Sequence, residues 1–185
     1  MKHKVIFISA ISCFFAFSFI SSCKKDPVDD SDNGTDSIQM VEMTPYELIP
    51  PRHFPVPDIP KDNELFVERI QLGKKLFFDT RLSNDGSNCA KCHEPEYGFS
   101  TPGVSQQDNG LTSLPLINLA WFENFMWAGR ITGTLENVMF FELTERFNTN
   151  LQKINDIDEY RVMFRDYYGV DVIEYEDLAK AMAQY

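Results

Sequence analysis

Cys89-Ala90-Lys91-Cys92-His93 is the stretch on which the reading of this chain turns. Cysteines three residues apart share one face of a helical turn, and a histidine directly after them projects from the same turn. C-x-x-C-H in this form is the attachment signature of c-type haem: both thiols add across the vinyl groups and the histidine reaches the iron. A structural zinc site would need a fourth ligand beside Cys89, Cys92 and His93, which only His53 or a carboxylate can offer. A thioredoxin-like pair would need a βαβ setting that the helical pattern around the motif lacks. The motif therefore predicts one covalent haem c, with Cys89 and Cys92 binding the cofactor and His93 ligating the metal. The opposite axial position separates functions, because a second strong ligand suits electron transfer and an open one admits peroxide. His53, Met43, Tyr97, Met126 and Met139 are conceivable ligands there, although a methionine among aromatics is ordinarily packing.

The flanks of the chain place this motif outside the cytoplasm. Lys2 and Lys4 precede an almost unbroken apolar run from Val5 to Ile20, which is shorter than the roughly 20 residues a spanning helix needs. Residues 1–22 read as an export signal. Ile20-Ser21-Ser22-Cys23 resembles a bacterial lipobox, with charged Lys24, Lys25 and Asp26 directly after it. A lipidated Cys23 would anchor the protein to the membrane in the periplasm or outer cell envelope. An ordinary signal peptide, with Cys23 incidental, is the alternative. Seventeen basic residues less Lys2 and Lys4, against 28 acidic ones, leave a formal charge of −13 after cleavage. Such a surface repels phosphate backbones and excludes nucleic acid as a partner, while a basic redox protein is compatible with it. The cysteines are fully allocated: Cys13 leaves with the signal, Cys23 carries lipid, and Cys89 and Cys92 carry haem.

Between signal and domain, residues 23–61 divide into two parts. Asp26 to Asp36 is rich in Asp, Ser, Asn and Gly, as a disordered tether is. Pro45, Pro50, Pro51, Pro55, Pro57 and Pro60 then block helix and predict an extended arm along the domain surface, with His53 in it. The globular part spans 62–185. Leu65, Phe66, Arg69, Leu72 and Leu76 recur at helical spacing, which predicts a helix over 62–78. A loop over 80–87 and a short helix bearing the haem motif follow, then a long loop over 95–112. Further helices are expected at Leu114 to Phe122, at Leu135 to Thr144 with Thr134 as cap, and from Asp156 to Gly169 with Ile157, Tyr160, Phe164 and Tyr167 or Tyr168 inward. A last helix begins at Tyr175, with Leu178 and Met182 in phase. Its apolar face needs a surface to pack on: either the chain is a fragment, or the helix docks on the core and frays. No stretch alternates convincingly as a strand and no repeat occurs. The expected class is all-α, a c-type cytochrome-like haem domain with long loops behind a Pro-rich arm.

The neighbours of the motif carry a further signal. Leu72-Gly73-Lys74-Lys75-Leu76-Phe77-Phe78-Asp79-Thr80-Arg81-Leu82-Ser83, Gly86-Ser87-Asn88 before the motif, and Gly98-Phe99 after it resemble the N-terminal haem domain of bacterial dihaem cytochrome c peroxidases and MauG-type relatives. Leu116-Ile117-Asn118-Leu119-Ala120-Trp121 and Phe125-Met126-Trp127-Ala128-Gly129-Arg130 are similar to the family's LxNxA…FWDGR stretch. Leu135-Glu136 and Asp177 to Ala183 continue the likeness, which covers about 62–185. The resemblance implies that this haem is the peroxide-reducing one and that a second CxxCH haem, in a C-terminal domain, takes electrons from a small cytochrome c or cupredoxin. It implies roles residue by residue: Trp127 as an electron relay between haems, Glu145 near the distal-pocket glutamate that moves protons, and Arg81 as partner of a haem propionate. Each has a plainer reading beside it. Trp127 can be a core aromatic, Glu145 a solvated helix-end carboxylate, and Arg81 a stabiliser of its own loop.

Departures from the pattern bound the expectation. No histidine follows His93, Phe141 stands where glutamine is common, Ala128 replaces the Asp of WDGR, and no second CxxCH occurs in these 185 residues. The sequence thus predicts a cytochrome-c peroxidase-like oxidoreductase that reduces hydrogen peroxide to water. A mono-haem electron carrier and an inactive, truncated fragment of a dihaem enzyme are the alternatives.

Overall fold

The computed structural model describes residues 41–103 and 110–185; the export signal, Cys23 and the Asp26–Asp36 tether lie outside the described residues. Helices account for most of the regular structure, and two of them meet unusually closely. Helix α1, Val67–Phe77, buries Leu72 and Leu76 completely, one turn apart on its inner face. Gly73 lies between them, where an added Cβ would stand 2.1 Å from the carbonyl oxygen of Ala181. Ala181 belongs to α5, Tyr175–Ala183, so the absence of a side chain at 73 is what lets the two backbones touch.

The helix predicted from 62 begins only at Val67. The Tyr46 N–H donates to the Leu65 carbonyl at 3.0 Å, the Val67 N–H to Thr44 at 2.9 Å, and Pro45 pairs with Phe66 as an antiparallel bridge. These strand-like bonds hold residues 65 and 66 extended, a long-range competition that local apolar spacing cannot register. Among the described residues, a 3₁₀ turn, Lys61–Asn63, is all the helix that precedes them.

Helix α2, Leu135–Phe141, starts at Thr134 as expected, through a capping box completed by the Asn137 side chain. Its continuation is a π turn over Glu142–Arg146, in which the Phe147 N–H reaches back five residues to the Glu142 carbonyl at 2.9 Å. A short α3, Leu151–Asn155, is capped by the Asn150 side chain, which accepts from the Lys153 N–H. Asp156 closes α3, so the cap of α4, Asp158–Tyr168, is Ile157 instead. Gly169 ends α4 at φ 70°, the left-handed conformation that glycine tolerates.

Tyr160 and Phe164 of α4, Leu178 and Ala181 of α5, Leu143 of the π turn, and Ile154 and Ile173 complete a single core around α1. Helix α5 packs against both α1 and α2. Its apolar face is therefore covered from within, as docking on the core requires.

Two expectations fail between α1 and α2. Leu114 to Phe122 is not a helix: Pro115 has no N–H to give, and Asn118 turns left-handed at φ 58°, leaving one 3₁₀ turn at Leu119–Trp121. Two strands also occur, β1 (Asn124–Phe125) and β2 (Ile131–Thr132), paired antiparallel with Asn124 opposite Thr132. They are too short for alternation to show. The Pro-rich stretch reaches this region, since Phe54 stacks edge-on against Trp121 and the Trp121 indole N–H donates to the Pro55 carbonyl at 2.8 Å.

Gly73→Ala tests the α1–α5 contact. In an exposed helix the change stabilises by up to ~1 kcal/mol. Here the methyl meets backbone, and a net loss of about 1–3 kcal/mol is expected from overpacking. Thermal unfolding of the two proteins reads the sign.

Candidate functional site

The Cys89–His93 turn hangs from the end of α1. Asn88 donates through Nδ2 to the Phe78 carbonyl at 2.7 Å, and its Oδ1 accepts from the Lys91 N–H at 3.0 Å. That cap starts a 3₁₀ turn, Cys89–Lys91, closed by bonds from the Cys92 and His93 N–H groups to the Cys89 carbonyl. The loop before it is held by Asp85, which accepts from the Ser87 N–H and the Ser83 hydroxyl; these hydrogen bonds keep its carboxyl down at about 2.

Cys89 and Cys92 are not joined to each other as a disulfide. Cys89 packs against the core, and burial, with a smaller push from the Glu142 carboxylate, raises its thiol to about 12. Redox-active CxxC pairs depend on a depressed thiol, so the thioredoxin-like alternative finds no support here. Among the described residues no three His, Cys, Asp or Glu side chains gather closely enough to hold a metal ion, as a zinc centre would require.

His93 is fixed by its backbone neighbour. Nδ1 lies 2.9 Å from the Phe99 carbonyl oxygen. A carbonyl can only accept, so Nδ1 carries the proton, and in the neutral ring Nε2 is the nitrogen whose lone pair suits a metal. Gly98 at φ 64° and Phe99 at φ 57° fold the chain back sharply, and the Glu94 N–H closes the loop on the Ser100 carbonyl at 2.9 Å. A left-handed Phe is uncommon. Its ring is held edge-on by Phe77 and Tyr185, which stabilises the conformation that aims its carbonyl at the imidazole. Two sulfurs on one turn and an imidazole in the ligating tautomer are the donor set that a c-type haem takes.

The remaining sequence candidates do not converge equally. Trp127 is 48% exposed, on the turn between β1 and β2. Met126 (φ 66°), Ala128 (φ 62°) and Gly129 (φ 63°) are all left-handed around it, and the indole N–H donates to the Thr112 carbonyl at 3.1 Å. It is presented outward, not packed in the core. Ala128 holds a conformation that Asp tolerates better, so this departure from WDGR carries a local conformational cost.

Arg81 forms a bidentate pair with Asp79, lies over the Tyr160 ring at 5.2 Å and remains partly exposed. Tyr160 also donates to Asp79. Burial alone would raise the Asp79 carboxyl, but the Arg81 and Tyr160 hydrogen bonds outweigh it and hold the group at about 2. Glu145 is exposed on the π turn. The carboxylate that senses Cys89 is Glu142, one turn earlier and ion-paired with Arg146 at 3.2 Å. Nothing in the local sequence signalled Glu142, because the π turn that sets which face each glutamate takes leaves no apolar signature. The Phe99 carbonyl was equally invisible, although Gly98-Phe99 marks the turn that supplies it.

Comparison with known proteins gives the family of the chain. The family model described as di-haem cytochrome c peroxidase matches residues 67–185. The methylamine utilization protein MauG of Methylophilus methylotrophus is 33% identical over 166 residues, covering 80% of this chain and 49% of that protein. The cytochrome-c peroxidase IdrP2 of Denitromonas iodatirespirans is 35% identical over 121 residues, covering 57% of this chain and 32% of that protein. A crystal structure of a MauG-like protein associated with microbial copper homeostasis superposes with TM-score 0.62 at 25% identity, covering 75% of this chain and 45% of that one. The chain spans half or less of the length of these relatives.

The Asp79 node has a pH signature. A carboxyl whose pKa is depressed on folding stabilises the fold fully above its unfolded value near ~4, and loses that contribution as pH falls towards about 2. Asp79→Asn is expected to unfold at lower temperature than the parent at pH 7, with the gap narrowing between pH ~4 and 2. Melting curves across that range check it. A gap that stays constant with pH would remove the charge from the explanation.

Proposed function

Since the chain belongs to the di-haem cytochrome c peroxidase family, we propose that residues 62–185 form its N-terminal haem domain and reduce hydrogen peroxide to water. The observation that carries this reading is the Cys89–His93 turn with the His93 tautomer set by the Phe99 carbonyl. A bound haem c supplies a redox-active iron at which a peroxide O–O bond can be cleaved, given two electrons and two protons per peroxide. Cys89 and Cys92 hold it covalently, and His93 ligates through Nε2. Arg81 keeps guanidinium edge exposed beyond its Asp79 pair, which suits it to a propionate. Trp127, held outward by Thr112, offers an aromatic surface to a second redox centre or to a donor protein of the cytochrome c or cupredoxin kind. Glu145 stays the sequence-based candidate for proton delivery, and Glu142 joins it as the carboxylate nearer to the attachment turn.

The same reading places the protein in the periplasm or outer cell envelope, exported by residues 1–22 and anchored through lipid on Cys23, with residues 23–61 as tether and arm. No helix among the described residues is long and apolar enough to cross a membrane. The acidic surface would meet a donor whose docking face is basic.

Absorption spectra of the haem-loaded protein, before and after stopped-flow mixing with peroxide, test the activity. A high-spin ferric band that changes rapidly on mixing is expected, and His93→Gly should abolish the response while the thioethers retain the haem. A wholly low-spin spectrum indifferent to peroxide would replace this reading with that of an electron carrier.

A further inference from the structure

The Phe99 carbonyl serves two donors. Besides His93 Nδ1 it accepts the Leu116 N–H at 3.3 Å. The next residue, Ser100, donates its hydroxyl to the Ser113 carbonyl at 2.6 Å. One residue further back, Thr112 accepts the Trp127 indole N–H at 3.1 Å. Residues 112–116 are thus sewn at one end to Trp127 and at the other to the oxygen that fixes the haem ligand. Ser113 is buried at the middle of this seam.

We propose that Ser100 is a positioning residue whose hydroxyl clamps segment 112–116, coupling the donor strength of His93 to the seat of Trp127. This rests on the haem reading above. A carbonyl oxygen has two lone pairs; with Leu116 on one, the other is directed at the imidazole. Phe99 is held left-handed, so its carbonyl direction is over-determined by neighbours and not by intrinsic preference. Releasing the Ser100–Ser113 bond lets the segment drift and weakens the Nδ1–H···O bond. The imidazole then carries less negative charge and donates less to iron, which destabilises the ferric state more than the ferrous. Loss of the Trp127 bond to Thr112 acts on the same segment from its other end.

Ser100→Ala and Ser100→Thr in the haem-loaded full chain test the clamp, with the midpoint potential as the main readout and the ferrous iron–histidine stretching band as the second. Ser100→Ala should shift the potential positive and the band to lower frequency, and Ser100→Thr, which keeps the hydroxyl, should return both towards the parent. Trp127→Phe, which removes the indole N–H together with the five-membered ring that carries it, should shift the potential in the same direction by less. A Ser100→Ala protein that melts earlier with unmoved potential would overturn the proposal, leaving Ser100 a structural residue. An unmoved potential in Trp127→Phe would overturn the coupling. Should Ser100→Ala not fold, Ser100→Cys supplies the weaker donor and the same two outcomes apply. If the parent chain itself shows no c-type haem spectrum, the haem reading falls and this proposal with it.

Discussion

The contact of α1 with α5 at Gly73 sets where the end of α1 lies, and much of the region around Cys89–His93 is referred to that end. The Phe78 carbonyl holds Asn88, which starts the Cys89–Lys91 turn; Asp79 caps the turn that carries Arg81; Phe77 supports the ring of Phe99, whose carbonyl fixes His93. None of these bonds is strong alone, each contributing on the order of 1 kcal/mol. Their common origin on one buried helix makes them act together. Leu72 and Leu76, fully buried, anchor that helix through apolar contact and so place polar groups several residues away.

Asp79 is the second junction. One carboxylate accepts from its own turn at the Arg81 N–H, from the Arg81 guanidinium and from Tyr160 of α4. It ties the segment leading to the attachment motif to the far side of the core. A partly buried charge needs such saturation to be tolerated, and here three donors supply it. The guanidinium is left oriented, with the rest of its edge available to another anion.

Much of this was legible in the sequence, for reasons that differ by element. CxxCH needs only local spacing, and its turn is where it was expected. Helices α2, α4 and α5 declare themselves through in-phase apolar residues and terminal signals such as Thr134 and Gly169. What was not legible depended on partners distant in the chain. Residues 65–66 were drawn from helix into pairing with 44–46, and Asn118, next to a Pro-containing apolar run, turned left-handed where periodicity predicted helix. At the site, CxxCH announced two cysteines and a histidine on one turn, but the group orienting His93 is a main-chain oxygen, which no side-chain pattern can announce. Trp127 proved to face outward, against the plainer reading of it as core.

The π turn at Glu142–Arg146 constrains length as well as identity. It holds one more residue than an α-helical turn would, and a residue in a helix corresponds to about 100° of rotation. Deleting one residue there would let an ordinary α ladder close. Everything before it, including α2, would then swing relative to the buried Leu143 and the segment running on to α3. Substitutions along this stretch change one side chain each, whereas a single deletion re-aims a whole helix face. Variation in chain length among natural relatives should therefore avoid 142–146.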